Sequence, residues 1–284
     1  MNMFDLLDEK FNIITACRNL FNQINTSRLY HGETFLSIFE NNMRFWKYNY
    51  GFYCVEDYFK ALEIPLGEYF INMKMVKLPN LNDENSCLIF LQFLDNALLF
   101  MYLQFKSFPQ YKEEFNIIKT SLNKILDKIG YESKIIDDDK ILLVEKNNTI
   151  RAIAEAQTNT DVAFKLYEYK AFEYKNDIKK KKEILVSLSH ETEKITSKWK
   201  EKGDFYNLYD KLDRLLNNFN LRHNNVDINK RYDLSKISHE ELLKIYDITY
   251  DLIVAVLGLE IGLKRYPEIS ELKKYLNPQT TQNN

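Results

Sequence analysis

Ser238-His239-Glu240-Glu241, followed by Leu242, Ile245, Tyr246, Thr249, Leu252, Ile253, Val256 and Leu257, is the stretch whose reading decides the fold. A serine three residues ahead of a glutamate can exchange hydrogen bonds with it across the first helical turn, a capping box. The residues behind it return to one face with helical spacing, so a long amphipathic helix is expected. Pro267 should interrupt this helix or begin a short terminal one, with 278–284 a frayed polar tail. Residues 224–237 read as a polar loop. Ahead of it, Leu208, Leu212, Leu215 and Phe219 step by four, three and four, which predicts a helix over about 205–221.

The next step of three lands on Arg222 and places a guanidinium where the leucines point. A buried charge must be paired or functional. Two long helices joined by this loop should pack antiparallel. The end of one then lies beside the start of the other, and Glu240, Glu241 and, a turn or two on, Asp247 or Asp251 become candidate partners for Arg222. In that reading Arg222 is a structural clamp. The alternative reading gives the same cluster chemistry, with Arg222 and His223 catalytic and Asn224, Asn225 and Asp227 binding substrate. Cationic and amide donors can hold a phosphodiester, and an imidazole titrates near neutral pH. RNA fits best, because its 2′-hydroxyl is an internal nucleophile. Metal-free cleavage then needs little more than a proton shuttle and an arginine facing the developing charge.

Further toward the N-terminus, 150–157 and 161–174 have helical spacing, and Ile184, Leu188, Ile195 and Trp199 form the stripe of a helix that Gly203 should end. The Lys179 to Lys182 run lies on that helix; four successive lysines point in four directions, which reads as a solvated face rather than a phosphate groove. Asn147-Asn148-Thr149 is a turn and marks the boundary between two modules, 1–148 and 149–284. Before it, Ser133-Lys134-Ile135-Ile136 and Lys140-Ile141-Leu142-Leu143-Val144 flank three aspartates, a short β-hairpin that must pack on helices to persist. Pro109 can open a helix through Phe115, Ile118, Leu122, Ile125 and Leu126 that stops at Gly130. Residues 4–105 read as helices broken near 26–32, 65–67 and 78–81. The most apolar window, 88–105, is interrupted by Gln92, Asp95, Asn96 and Gln104 and reads as a buried core helix rather than a membrane span. The expected fold is therefore mainly α, two helical modules with one small β-hairpin between them and an antiparallel helical bundle at the C-terminal end.

Composition agrees with a helical, globular chain. Tyr and Phe supply 19 residues each against seven Gly and five Pro, a balance that favours helices over turn-rich sheets. The net charge of −2 gives no global field toward nucleic acid or an anionic membrane, so RNA binding would have to be local. Cys17, Cys54 and Cys87 are odd in number and far apart, which speaks against a disulfide framework and a zinc knuckle and fits the cytoplasm. No export signal is expected from the opening residues. No Gly-rich phosphate loop, His-Glu-x-x-His or Cys-x-x-Cys occurs, so no metal or other cofactor is expected. Ser187-Leu188-Ser189-His190 lacks the preceding strand that a serine-hydrolase elbow needs. The tyrosines alone suggest a ligand sensor in the N-terminal half, but Phe35, Phe39 and Phe45-Trp46 at helical spacing read as core.

Leu216-Asn217-Asn218-Phe219-Asn220-Leu221-Arg222-His223-Asn224-Asn225, with Glu241-Leu242-Leu243-Lys244-Ile245-Tyr246-Asp247 and Tyr250 after it, resembles the HEPN-type helical domains of bacterial abortive-infection proteins. The resemblance covers residues of about 150–265. It implies an antiparallel helical bundle, commonly dimeric, in a phage-defence protein; active members of the family are metal-independent endoribonucleases whose arginine pairs with a histidine a turn or so later. Arg222 with His223 or Asn224 resembles the arginine half. The histidine half departs from the pattern, since the matching positions hold Asp227, Ile228 and Asn229, and His190 and His239 lie elsewhere. The N-terminal helices and the hairpin resemble the accessory domains that precede such modules. The resemblance thus implies a homodimer that binds or cleaves RNA and has a neutralising or activating protein partner. The alternative is a non-catalytic helical interaction module, a degenerate HEPN domain in an antitoxin or scaffold role.

Overall fold

A computed structural model of the chain describes residues 11–26, 32–39, 66–71, 74–104, 111–137, 140–197, 206–222 and 233–271. The described residues are mainly helical, and the chain divides into two compact units, Met1–Lys146 and Asn147–Asn284.

The first unit runs α1 (Ile13–Thr26), β1 (Leu66–Ile71), β2 (Lys74–Pro79), α2 (Glu84–Gln104), α3 (Lys112–Lys128), β3 (Tyr131–Asp137) and β4 (Lys140–Glu145). Its centre is α2, which buries Cys87, Phe90, Leu91, Phe93, Leu94, Ala97, Phe100 and Met101 on most of its circumference. By length and composition Glu84–Tyr102 is apolar enough to cross a membrane, but 83% of that window is buried inside the unit. A helix buried all round by its own domain has the same composition as a span. Aromatic edges close the core: Phe39 meets Phe93 at 5.5 Å and Phe100 at 6.2 Å, and Phe35 meets Phe115 at 5.4 Å, all near perpendicular.

The polar interruptions of α2 have a use. Gln92 and Asn96, one turn apart, face β4 and take the place of a third strand. Ile141 N–H donates to Asn96 Oδ1 at 2.8 Å, Asn96 Nδ2 donates to Ile141 O at 3.0 Å, and Leu143 N–H donates to Gln92 Oε1 at 3.2 Å. Such pairing satisfies backbone groups that a two-stranded sheet would otherwise bury unpaired. Asp95, fully buried beside them, accepts from Lys119 of α3 and Ser133 of β3.

The hairpin β3–β4 forms over the predicted residues, with a register irregularity between Ile135 and Asp137. In α3 the five expected residues, Phe115, Ile118, Leu122, Ile125 and Leu126, are the buried ones. Gly130 takes φ +76° just past its end, a left-handed conformation that glycine adopts without strain. Pro109 lies outside the described residues. A second hairpin, β1–β2, pairs Leu66 with Pro79 through Ile71 with Lys74, where the sequence reading expected helices with breaks. Pro79 ends a strand it cannot continue, and the aromatic and β-branched residues Tyr69, Phe70, Ile71 and Val76 suit extended backbone.

The second unit runs α4 (Asn148–Glu155), α5 (Thr160–Tyr169), a 3₁₀ turn at Phe172–Tyr174, α6 (Ile178–Thr196), α7 (Tyr206–Asn218), a 3₁₀ turn at Leu234–Lys236 and α8 (His239–Glu271). Asn147, Asn159 and Asp177 cap α4, α5 and α6, each side chain accepting a first-turn N–H. Trp199 and Gly203 lie outside the described residues, and α6 ends at Thr196. The capping box of α8 is present: Glu241 N–H donates to Ser238 Oγ at 3.2 Å, and Ser238 N–H returns a bond to Glu241 Oε2 at 3.1 Å. Tyr246, Tyr250, Ile253, Val256 and Leu257 of α8 join Ile184, Leu185 and Leu188 of α6 in one core. Pro267 does not interrupt α8, which continues to Glu271. Its fixed φ is compatible with helical backbone.

Candidate functional site

Helix α7 stops four residues before Arg222. Asn220 adopts φ +54°, Leu221 N–H reaches back to Leu216 O at 2.9 Å, and Asn220 N–H reaches Asn217 O at 3.4 Å. These are the paired bonds of a Schellman ending, with asparagine in the left-handed position and Leu221 buried against Leu216 beyond it. The apolar stripe therefore ends on Phe219 and Leu221. Arg222 is not on the helix, which corrects the sequence reading, and a reversed chain folds its side chain back along α7.

There each of the three guanidinium nitrogens has a carboxylate or amide partner. Nε donates to Glu193 Oε1 of α6 at 2.5 Å, Nη2 lies 2.7 Å from Asp213 Oδ1, and Nη1 donates to Asn217 Oδ1 at 3.1 Å. Asn217 Nδ2 in turn donates to Asp213 Oδ2 at 2.9 Å. The Arg222 side chain keeps 25% of its exposure. Burial alone would lower the proton affinity of the guanidinium, but the Glu193 hydrogen bond and the charges of Asp213 and Glu193 outweigh it and leave it raised.

These partners are not the ones expected, Glu240, Glu241, Asp247 or Asp251. Glu241 serves the capping box, Glu240 is exposed in the first turn of α8, and Asp247 binds other groups. The expectation failed because it carried the helix through Arg222; the reversal at Asn220 turns the side chain toward α6 instead. His223, Asn224, Asn225 and Asp227 lie outside the described residues.

The second constellation was missed at its centre. Asp247 Oδ1 accepts from Tyr169 Oη at 2.9 Å and from Lys181 Nζ at 2.7 Å, joining α5, α6 and α8. Lys181 is buried, with its ammonium 4.7 Å from the Tyr169 ring centroid. The Tyr169 ring stacks on Tyr250 at 4.0 Å, and Tyr250 Oη donates to Leu166 O at 2.7 Å. Burial, then the charge of Asp247 and its hydrogen bond, push the Tyr169 phenol well above the ordinary range, so it remains a neutral donor. Beside this group Lys165 and Lys180 both hold the buried Glu168 carboxylate, at 2.5 and 2.7 Å. Burial raises Glu168, but the two lysine hydrogen bonds win and lower it. Of the lysine run, Lys179 is solvated as expected, whereas Lys180 and Lys181 are committed to acids.

A signal for this network was available. Lys181 precedes Ile184, Leu185 and Leu188 by three, four and seven residues, so it stands on the apolar stripe of its helix. The surrounding lysines concealed it.

Chemically, both constellations place cations against carboxylates with matched hydrogen bonds. Asp247, 47% exposed, is the one acid of the Tyr169–Lys181 group that meets solvent. Among the described residues no group of three His, Cys, Asp or Glu side chains is placed to hold a metal ion. In comparisons with known proteins, no family model matches this chain, and no curated protein or solved structure matches it.

Proposed function

We propose that the C-terminal unit is a HEPN-like module of a phage-defence protein that works by binding a protein partner rather than by cleaving RNA. The observation that supports this is the engagement of all three side-chain nitrogens of Arg222 by Glu193, Asp213 and Asn217. An arginine that stabilises a developing phosphorane must present donors to the substrate. Freeing these would leave two acids facing a polyanion. Arg222 is then a clamp between α6 and the end of α7. The chain acts in the cytoplasm as a homodimer, with a neutralising or activating protein as its partner.

A second reading keeps an RNA-directed effector. It draws support from the exposed quarter of Arg222 and its place directly before His223, Asn224 and Asn225. Incubating the purified chain with total cellular RNA in a chelator separates the two. Binding without cleavage predicts intact RNA with wild type and with Arg222→Ala alike, and a lower melting temperature for the variant. RNA cleaved by wild type and spared by an Arg222→Ala variant of unchanged melting temperature would overturn the clamp and install the effector.

A further inference from the structure

The cysteines carry no signature of pairing in the sequence, yet folding brings two of them together. Cys17 lies on α1 and Cys87 in the first turn of α2, and both are fully buried where the two helices pack. Cys87 Sγ lies 4.0 Å from the carbonyl oxygen of Ile13, which is one helical turn ahead of Cys17 on the same face. Near a helix N-terminus the unpaired backbone N–H groups favour a thiolate, and Arg18, the neighbour of Cys17, adds positive charge beside Cys87 against the opposing carboxylates of Asp83 and Glu84. The neighbouring Cys87 sulfur, then burial, raise the Cys17 thiol well above its ordinary range, and Cys17 in turn draws Cys87 below it.

We infer that Cys17 and Cys87 are a dithiol that closes into an intramolecular disulfide on exposure to a peroxide, fastening α1 to α2. The Cys87 thiolate attacks one oxygen of hydrogen peroxide. An S–O bond forms, the O–O bond breaks, and the departing hydroxide takes up a proton and leaves as water, giving a sulfenic acid. Cys17 then attacks that sulfur, the S–S bond forms, the S–O bond breaks, and the oxygen leaves with the Cys17 proton as a second water. Two electrons pass from the sulfurs to the peroxide. Because both thiols are buried, α1 must lift before the oxidant enters, so closure is slower than oxidation of an exposed thiol. Once closed, the bond opposes that lifting by constraining the open chain.

The test uses the full chain carrying Cys54→Ser, reduced, treated with hydrogen peroxide, then denatured and alkylated with N-ethylmaleimide. The reduced protein is expected to take up two adducts and the oxidised protein none. Peptide mapping without reductant should show a fragment joining Cys17 to Cys87, and the melting temperature should rise by roughly 10 °C on closure. In the same background Cys17→Ser should leave a sulfenic acid on Cys87 that dimedone traps. Two thiols still alkylated after peroxide, a disulfide found only between chains, or sulfinic acid on Cys87 without any joined fragment would each overturn the inference. The peptide map of the chain retaining Cys17 decides the matter even if Cys17→Ser does not fold.

Discussion

Apart from the Asp95–Lys119 pair of the first unit, the two units put their buried polar groups to different use. In the first, Gln92 and Asn96 sit in an aromatic core and address backbone: they finish the hydrogen bonding of a strand that has one strand neighbour among the described residues. In the second, Lys181, Glu168 and Tyr169 address side chains, and each joins helices that share no backbone bonds. Amides suit the first task because they donate and accept at once. Charges suit the second because an ion pair reaches between helices, at the cost of failing badly when one partner is removed. The comparison teaches that a polar residue on an apolar stripe identifies a join, and that its chemical type says what is joined.

The largest break in that comparison should come from Asp247→Ala, which leaves the buried Lys181 ammonium and the Tyr169 hydroxyl without their acceptor. Removing one partner of a fully buried pair costs about 3 to 5 kcal/mol; with Asp247 half exposed, the lower end or slightly less is expected by chemical denaturation. Asp247→Ala combined with Lys181→Met should recover part of the loss, since the stranded charge is then gone. In the first unit Asn96→Leu should cost about 2 kcal/mol, because the Ile141 amide and carbonyl lose their partners in a dry site. Hydrogen exchange at Ile141 and Leu143 should accelerate while the amides of α8 stay protected. Equal acceleration in both units would mean that they do not unfold separately. A smaller loss, about 1 kcal/mol, is expected from Ser238→Ala, which removes half of the α8 capping box at an exposed site.

These expectations rest on elements of very different legibility. Helix α3 was readable because five apolar residues and a glycine agree, and α8 because its capping box is local in sequence. Hairpin β3–β4 was readable because the period changed within a few residues. Hairpin β1–β2 was not: its sequence continues the preceding apolar spacing without a clear change of period, and its tertiary setting decides the outcome. Arg222 could be recognised as a residue needing partners. Which partners it has could not, because one asparagine in the left-handed conformation redirects the side chain to Glu193 on an earlier helix, a contact with no trace in local spacing. Asp247 was named for the wrong cation, and Lys181 was hidden inside a run of its own kind.

Acid pH should sharpen the contrast by the smallest margin. The folded Glu168 carboxyl lies below the ordinary glutamate value of 4.5. Its contribution is therefore present above that value and is lost as pH falls through the folded one. A Glu168→Gln variant should be less stable than wild type at neutral pH and show a shallower decline in melting temperature below about pH 4.5. Parallel declines would remove Glu168 from the joins that matter.

The account depends most on Arg222 acting as a tie between α6 and the end of α7, and a double-mutant cycle on Arg222→Ala and Glu193→Ala measures that tie directly. A coupling of about 1 kcal/mol or more in unfolding free energy is predicted, given a close and partly buried pair. A coupling indistinguishable from zero, with both single variants as stable as wild type, would contradict it.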